Sequence, residues 1–199
     1  MLRVGLTGSI AVGKSFVSGI LAELGCHVLD ADKTAREVVR QGSPGLEKVV
    51  KSFGESVLNQ DGTLDRTKLG ELVFADKEKR ELLNSILHPY IIAAQDEKLR
   101  EWEALDPNGI SVVDAALMIE SGGYRRFDKL IVVHCRPEVQ LSRLISRSGL
   151  TPEEAQARIA SQMAQEEKMR YADFLIDTSG DKIDTRIQTE RVYRSLCAN

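Results

Sequence analysis

The chain has 199 residues, of which 42% are hydrophobic and 29% charged, proportions typical of a globular protein with one sizeable core. Its formal net charge of −3 argues against a general nucleic-acid or membrane-surface binder, and no apolar run approaches the length of a membrane span. The three cysteines, Cys26, Cys135 and Cys197, are widely spaced and form no C-x-x-C pair. They therefore predict reduced thiols in a cytoplasmic protein, not a zinc site or a disulfide framework.

A phosphate-binding motif lies close to the N-terminus, between a strand pattern and a helix pattern. Residues 1–7 predict a short buried strand, and residues 16–25 carry apolar side chains at helical spacing before a final glycine. Between them, residues 8–15 read G-S-I-A-V-G-K-S, which matches G-x-x-x-x-G-K-S. A chance match is the alternative, but the flanking strand and helix disfavour it.

Each part of this loop has a predicted task. Gly8 and Gly13 let the backbone curl until its N–H groups face one anion, and the helix that follows adds the positive end of its dipole. Lys14 can reach the β- and γ-phosphates, and the Ser15 hydroxyl can ligate Mg²⁺, so the predicted cofactors are ATP and Mg²⁺. The predicted nucleotide-binding residues are Gly8, Ala11, Val12, Gly13, Lys14, Ser15 and Phe16.

Two carboxylates lie at the end of the second predicted strand, residues 26–30. Asp30 and Asp32 would lie at the same sheet edge as the phosphate loop and point to one side. One of them could accept the proton of an attacking hydroxyl, and either could orient Mg²⁺, so Asp30 joins Ser15 as a candidate metal ligand. The alternative for Asp32 is a purely structural N-cap of a helix predicted over residues 33–40.

The middle of the chain is predicted to be helical. Helical patterns cover residues 46–53, 66–74, 77–87 and 90–105, with a break expected at His88-Pro89 because the residue before proline avoids the helical conformation. Arg66, directly after a turn, is a candidate for binding the acceptor. His88 either binds a substrate phosphate or packs at a helix junction. The predicted domains are a nucleotide-binding core of residues 1–40 and 108–199, with a lid around 144–170, and a helical acceptor-binding insertion of residues 41–107.

Strand patterns return in the last third of the chain, at residues 110–114, 129–135 and 174–177. Their nearly continuous apolar runs are typical of parallel strands covered on both faces. Helices are predicted over residues 137–148, 152–167 and 181–196, with Thr151 as an N-cap before Pro152. The predicted fold is therefore α/β: a P-loop kinase-like, five-stranded parallel sheet with helices on both faces, a helical insertion and a helical lid.

Further charged residues lie where a nucleotide site would need them. Asp114 ends the third predicted strand and suits a position near Mg²⁺; an ordinary strand-end turn is the alternative. Arg143 and Arg147 lie four residues apart on one helix face and could bind phosphate oxygens, although a solvated helix surface explains either of them alone.

The class of enzyme follows from what accompanies the loop. The N-K-x-D element of GTPases is missing from the sequence, and the chain is compact for a motor ATPase. A helical insertion and an arginine-bearing lid favour a small-molecule kinase. Two alternatives stay open: another nucleoside or nucleotide kinase of the P-loop class, and a nucleotide-binding switch without catalysis.

The order of motifs resembles the dephospho-coenzyme A kinase family along nearly the whole chain. The matching residues include Asp30-Ala31-Asp32 after the second strand, residues 61–66, Leu87-His88-Pro89, residues 140–144 and residues 172–177. This chain departs from the usual family sequence at two places. The family's loop usually has glycine, glycine and serine where this chain has Ser9, Ala11 and Val12, and the family usually has proline at Ala116, so we expect a looser turn there.

The resemblance implies that ATP phosphorylates the ribose 3′-hydroxyl of dephospho-coenzyme A, the final step of coenzyme A biosynthesis. It implies Asp32 as the general base, Gly13, Lys14 and Ser15 as ligands of the phosphates and Mg²⁺, and Arg143 as a lid arginine. It also implies Arg66 and His88 on the acceptor side, where we place Asp114 as well. The expected partner is the small-molecule acceptor; no protein partner is implied.

Overall fold

The computed structural model describes residues 1–74 and 76–198, which divide into two compact units. The first comprises residues 1–29 together with those from 102 onward, and we call it the sheet unit. The second comprises residues 30–101, and we call it the helical unit. These boundaries differ from the predicted insertion of residues 41–107, and the functional division of the chain stays a prediction.

The predicted five-stranded sheet is confirmed, with the strand order β2-β3-β1-β4-β5. The strands are β1 (Leu2–Thr7), β2 (His27–Asp30), β3 (Ile110–Asp114), β4 (Lys129–His134) and β5 (Phe174–Asp177). β1 pairs in parallel with both β3 and β4, and β4 pairs in parallel with β5. The register aligns Leu6 with Asp114, so the end of β3 lies beside the start of the phosphate loop. This carboxyl edge is where open α/β sheets bind ligands.

The sheet is held by apolar side chains that no solvent reaches. Val4, Leu6 and Ile131 on the central strands have no exposed surface, and they pack with side chains of α1 (Lys14–Glu23) and α9 (Lys182–Cys197) in one core. Gly5 leaves room for neighbouring side chains within β1: an added Cβ would lie 2.6 Å from the Met118 sulfur and would force that side chain to shift. The apolar runs read from the sequence therefore form the buried centre of the sheet unit.

The sheet unit has three further helices, and two of them replace one helix predicted from the sequence. The three are α6 (Pro137–Ser148), α7 (Pro152–Ala160) and α8 (Gln165–Met169). The single helix expected over residues 152–167 is wrong, because the backbone of residues 161–164 leaves the helical path and the Met163 N–H bonds to Glu120. The predicted Thr151 cap is confirmed, and Glu154 completes a capping box with it.

The helical unit has a separate, smaller core. Its helices are α2 (Ala31–Glu37), α3 (Pro44–Phe53), α4 (Arg66–Phe74) and α5 (Lys77–Leu105), of which the last continues into the sheet unit. Val39, Val49, Val57 and Leu69 are buried together at its centre. A short antiparallel bridge between Leu58 and Leu64 closes the turn that the sequence predicts before α4.

The break predicted at His88-Pro89 is wrong: α5 runs through both residues as one helix. Proline lacks an N–H, so the helix loses one hydrogen bond at this point, to the carbonyl of Ser85. His88 and Pro89 are both exposed, and water can satisfy the carbonyl that lost its partner. The preference of a residue before proline for extended backbone is thus overridden by a helix of 29 residues.

Among the described residues, none of the helices is both long and apolar enough to cross a membrane.

The cysteines are free thiols; Cys26 and Cys135 are buried and Cys197 is exposed. Burial, with a smaller contribution from nearby Cys197, raises the pKa of the Cys26 thiol to about 12. Cys26 is therefore a packing residue that stays protonated at neutral pH.

Candidate active site

The phosphate loop passes very close to the end of β4. A Cβ added to Gly8 would lie 2.5 Å from the carbonyl oxygen of Val133, a backbone atom that cannot move aside. Gly13, at the other end of the loop, has a φ of 86°, in the left-handed region that favours glycine. Both glycines of the motif are therefore required by the backbone path.

Ala11 occupies the left-handed region without being glycine, with a φ of 62°. It stands where the related family usually has glycine, and the loop accepts it. For an L-residue with a Cβ, this conformation costs about 1–2 kcal/mol. A strained backbone residue of this kind persists only where neighbouring groups fix the conformation.

The helix that follows the loop begins without a side-chain cap. Gly13 precedes α1 and offers no side chain to its first N–H groups, and no acidic residue lies in the first turn. In α2, α3, α7 and α9 an Asp, Ser or Thr side chain accepts from the first turn, whereas α6 and α8 lack a side-chain cap, as α1 does, but do not follow a glycine loop. An uncapped helix start behind a glycine loop suits an external anion, which would accept those N–H groups.

Lys14 and Asp114 form an ion pair beside the loop. Lys14 Nζ donates to Asp114 Oδ1, and both side chains are mostly buried, with 17% and 10% exposed. The sequence predicted Asp114 near Mg²⁺ and the acceptor; the structure brings it into direct contact with the loop lysine. This pair orients the lysine at the carboxyl edge of the sheet, next to the uncapped start of α1.

Thr178, directly after β5, connects the loop to Arg143, and we had not predicted it. Its hydroxyl donates to the carbonyl oxygen of Val12 at 2.6 Å, and the residue is 3% exposed. Arg143 donates to the hydroxyl of Thr178 at 2.9 Å and to its carbonyl oxygen at 2.7 Å. An added Cβ on Gly13 would lie 3.6 Å from the same guanidinium, so Arg143 is held beside the loop. The only signal in the sequence is that Thr178 follows a strand at the ligand edge.

Other predicted nucleotide residues are placed less tightly. Ser15 is exposed in the first turn of α1, and the Phe16 ring lies 5.8 Å below the ammonium of Lys182. Arg147 lies one turn beyond Arg143 on α6 and is exposed. The hydrogen bonds to Thr178 hold Arg143 and not Arg147. Burial raises the pKa of Cys135 near this site, although Arg143 acts in the opposite direction.

In the helical unit, Asp30 and Asp32 have different positions. Asp30 is the N-cap of α2: its Oδ1 accepts from the N–H groups of Asp32 and Lys33 at 2.9 and 3.1 Å. The alternative that Asp32 caps this helix is therefore wrong. Asp32 lies in the first turn of α2 and is exposed. The cap fixes the helix start and leaves the Asp32 carboxylate available to solvent and ligands.

Two of the predicted acceptor residues, Arg66 and His88, are also exposed in the helical unit. Arg66 begins α4, and its guanidinium donates to the carbonyl oxygen of Arg36 near the end of α2, at 3.4 Å. His88 lies within α5. A contact of that length is weak, so Arg66 keeps donors for an anion.

The site offers a cation few protein ligands. Across residues 1–74 and 76–198, no group of three or more His, Cys, Asp or Glu side chains forms a metal cage. Mg²⁺ in phosphate-transfer sites needs few protein ligands, because phosphates and water supply the others. The Ser15 hydroxyl, at the start of α1 behind the loop, fits that requirement.

Comparisons with known proteins agree with this geometry. The family model of dephospho-CoA kinase matches residues 2–184. A dephospho-CoA kinase from Listeria monocytogenes is 47% identical over 198 residues, covering 98% of both chains. The crystal structure of a Thermus thermophilus protein superposes with a TM-score of 0.84 at 30% identity, covering 98% of this chain and 96% of that one. For the dephospho-CoA kinase structure from Campylobacter jejuni, the TM-score is 0.74 at 33% identity, with 98% and 97% covered.

A family match over residues 2–184 spans the loop, both units and the residues that hold Arg143. With a strand–loop–helix nucleotide site at the carboxyl edge of a parallel sheet, it assigns the chain to the phosphotransferases. The chain belongs to the dephospho-CoA kinase family.

Proposed function

We propose that this protein transfers the γ-phosphoryl group of ATP to the ribose 3′-hydroxyl of dephospho-CoA, giving CoA and ADP. The observation that carries the proposal is the uncapped, glycine-bounded start of α1 with Lys14 and Arg143 beside it, in a chain of this family. Such an arrangement offers N–H groups and positive charge to a triphosphate before the reaction begins.

On the nucleotide side, N–H groups of Gly8 and of residues 11–16, together with the Lys14 ammonium, bind the phosphates. Arg143, held by Thr178, neutralises charge that develops during transfer. Ser15 is the proposed ligand of Mg²⁺, with Asp30 as a second candidate; when bound, Mg²⁺ neutralises phosphate charge. Arg147 is proposed to reach phosphate oxygens from the lid around residues 144–170.

On the acceptor side, Asp32 accepts the proton of the ribose hydroxyl as that oxygen attacks the γ-phosphorus. Its exposure at the start of α2 supports this role, because a general base must reach its substrate. Arg66, His88 and Asp114 are the proposed acceptor-binding residues. We propose that residues 41–107 bind the acceptor, whereas residues 1–40 and 108–199 bind the nucleotide and the lid excludes water.

We also infer a reducing compartment such as the cytoplasm. The three free cysteines support this inference, because proteins of oxidising compartments commonly pair theirs. The proposed reaction needs two small-molecule substrates, with no nucleic acid, membrane or protein partner.

The test is a coupled assay of ADP release with different acceptors. With Mg²⁺ present, dephospho-CoA should stimulate ADP release strongly, whereas AMP should not, and chelation of Mg²⁺ should abolish the signal. Stimulation by a nucleoside monophosphate in place of dephospho-CoA would indicate a different kinase. ATP binding without any acceptor-stimulated release would indicate a nucleotide-binding switch.

A further inference from the structure

Glutamine side chains hold the phosphate loop at Ile10. Gln162, which lies between α7 and α8, accepts the N–H of Ile10 through Oε1 at 2.8 Å. Gln140, on α6, donates its Nε2 to the carbonyl oxygen of Ile10 at 2.7 Å. Both backbone polar groups of one loop residue are therefore bonded to side-chain amides. We call Gln140 and Gln162 the glutamine clamp.

The orientation of the clamp is itself fixed by further hydrogen bonds. Gln140 is 2% exposed, and its Oε1 accepts from Gln165 at 2.8 Å. Gln165 in turn accepts the N–H of Cys135 at 3.0 Å. The Cys135 N–H can only donate, so Gln165 must turn its oxygen toward Cys135 and its amino group toward Gln140. Gln140 is therefore aligned with its donor toward the loop.

The segment that carries Gln162 is anchored as well. The N–H of Met163 donates to Glu120 at 3.3 Å, and Glu120 pairs with Lys168 at 2.8 Å. Lys168 has no exposed surface, and its Nζ also donates to the carbonyl oxygen of Ala116 at 2.9 Å. Thr7 donates to the same carbonyl, so the turn that lacks the usual proline is held by two donors.

The clamp lies immediately before the strained residue of the loop. Ala11 follows Ile10 and adopts a φ of 62°, which glycine would adopt without strain. We propose that Gln140 and Gln162 are positioning residues that hold the Ile10-Ala11 turn in its phosphate-binding shape. They supply by hydrogen bonding a constraint that opposes relaxation of the strained alanine. The proposal rests on the proposed function only in that the loop binds ATP.

Gln162→Met tests the clamp, because methionine has nearly the same shape but cannot accept the Ile10 N–H. Isothermal titration with a non-hydrolysable ATP analogue and Mg²⁺ should show a dissociation constant raised about tenfold, the size expected for one lost, partly buried hydrogen bond. The KM for dephospho-CoA should change less than twofold. Gln60→Met, at an exposed position of the helical unit, is the control and should bind the analogue like the unaltered protein.

A second substitution separates positioning from general destabilisation. Ala11→Gly in the Gln162→Met background should restore the dissociation constant to within about threefold of the unaltered protein, because glycine adopts the left-handed conformation without strain. If Gln162 contributed only to general stability, Ala11→Gly would not restore the dissociation constant. Unchanged analogue binding in Gln162→Met, or absence of rescue by Ala11→Gly, would overturn the proposal.

Amide hydrogen exchange gives an independent readout that needs no ligand. Exchange of the Ile10 N–H should be at least tenfold faster in Gln162→Met, whereas Gln162→Glu, which keeps an acceptor oxygen, should preserve slow exchange. Equal exchange in all three proteins would overturn the proposal. Neither the titration with the ATP analogue nor the exchange measurement includes the acceptor, so their failure is distinct from a failure to phosphorylate dephospho-CoA.

Discussion

The phosphate loop and the start of α2 both carry candidate catalytic groups, but they hold them differently. Around the loop, Lys14, Arg143 and Thr178 bond to other parts of the sheet unit and are wholly or partly buried. In the helical unit, Asp32 and His88 are exposed. A triphosphate needs fixed dipoles and charges, whereas a general base must be reachable by its substrate. Substitutions should therefore affect the two regions through different kinetic constants.

The largest effect is expected for Lys14→Met. Loss of the ammonium removes positive charge from the phosphates in both the bound and the transition state, so kcat/KM should fall about a thousandfold and the KM for ATP should rise. Steady-state kinetics measure both, and circular dichroism checks that the fold persists. Lys48→Met, at an exposed position on α3, is the control. Unaltered kinetics in Lys14→Met would remove the loop lysine from the mechanism.

Asp32→Asn should lower kcat about a hundredfold and leave the dissociation constant of ATP within twofold, because the amide keeps the shape but cannot accept the proton. Single-turnover kinetics and titration with the ATP analogue give the two quantities. Glu37→Gln, exposed at the end of the same helix, should behave like the unaltered protein. Near-normal turnover in Asp32→Asn would show that another group is the base.

Thr178→Val should raise the KM for ATP about tenfold. The substitution removes the bond to the Val12 carbonyl and one of the two bonds that hold Arg143, and it should lower the free energy of unfolding by about 2 kcal/mol. Thr189→Val is the matched control, since Thr189 is buried and donates to the Thr185 carbonyl within α9. An equal rise in the KM for ATP in both variants would mean that Thr178 acts only through stability.

Arg66→Ala should have the smallest effect: a rise of about fivefold in the KM for dephospho-CoA and no change in the KM for ATP, as expected for one exposed charged contact. Arg80→Ala, exposed on α5, is the control. A change in the KM for ATP, with the KM for dephospho-CoA unaltered, would show that Arg66 does not bind the acceptor.

Local patterns predicted most of the secondary structure. The bounds of β3, α4, α6 and β5 agree with the sequence patterns, because apolar periodicity, caps and turns act over a few residues. The two wrong helix predictions have different causes, the first tertiary and the second local. Residues 161–164 leave the helix where they bond to the loop and Glu120, and α5 tolerates Pro89 at an exposed position.

The sequence predicted the part of the candidate site that belongs to the phosphate-loop motif. The loop between strand and helix is confirmed. The roles of its residues, and those of Asp30, Asp32, Arg66 and His88, stay predictions. Thr178 and the glutamine clamp could not be found from the motif, since their partners lie far away in sequence: Thr178 bonds to Val12 and Gln162 to Ile10. Such contacts follow from the strand order of the sheet, which local patterns do not determine.

The most direct test of the central claim follows the phosphoryl group itself. The purified protein is incubated with Mg²⁺, dephospho-CoA and ATP radiolabelled in its γ-phosphate, and phosphorus NMR of unlabelled product locates the new phosphate. The account predicts label in CoA, at the ribose 3′-oxygen, in equal amount to the ADP formed. Label found only in inorganic phosphate, or on another acceptor atom, would contradict it.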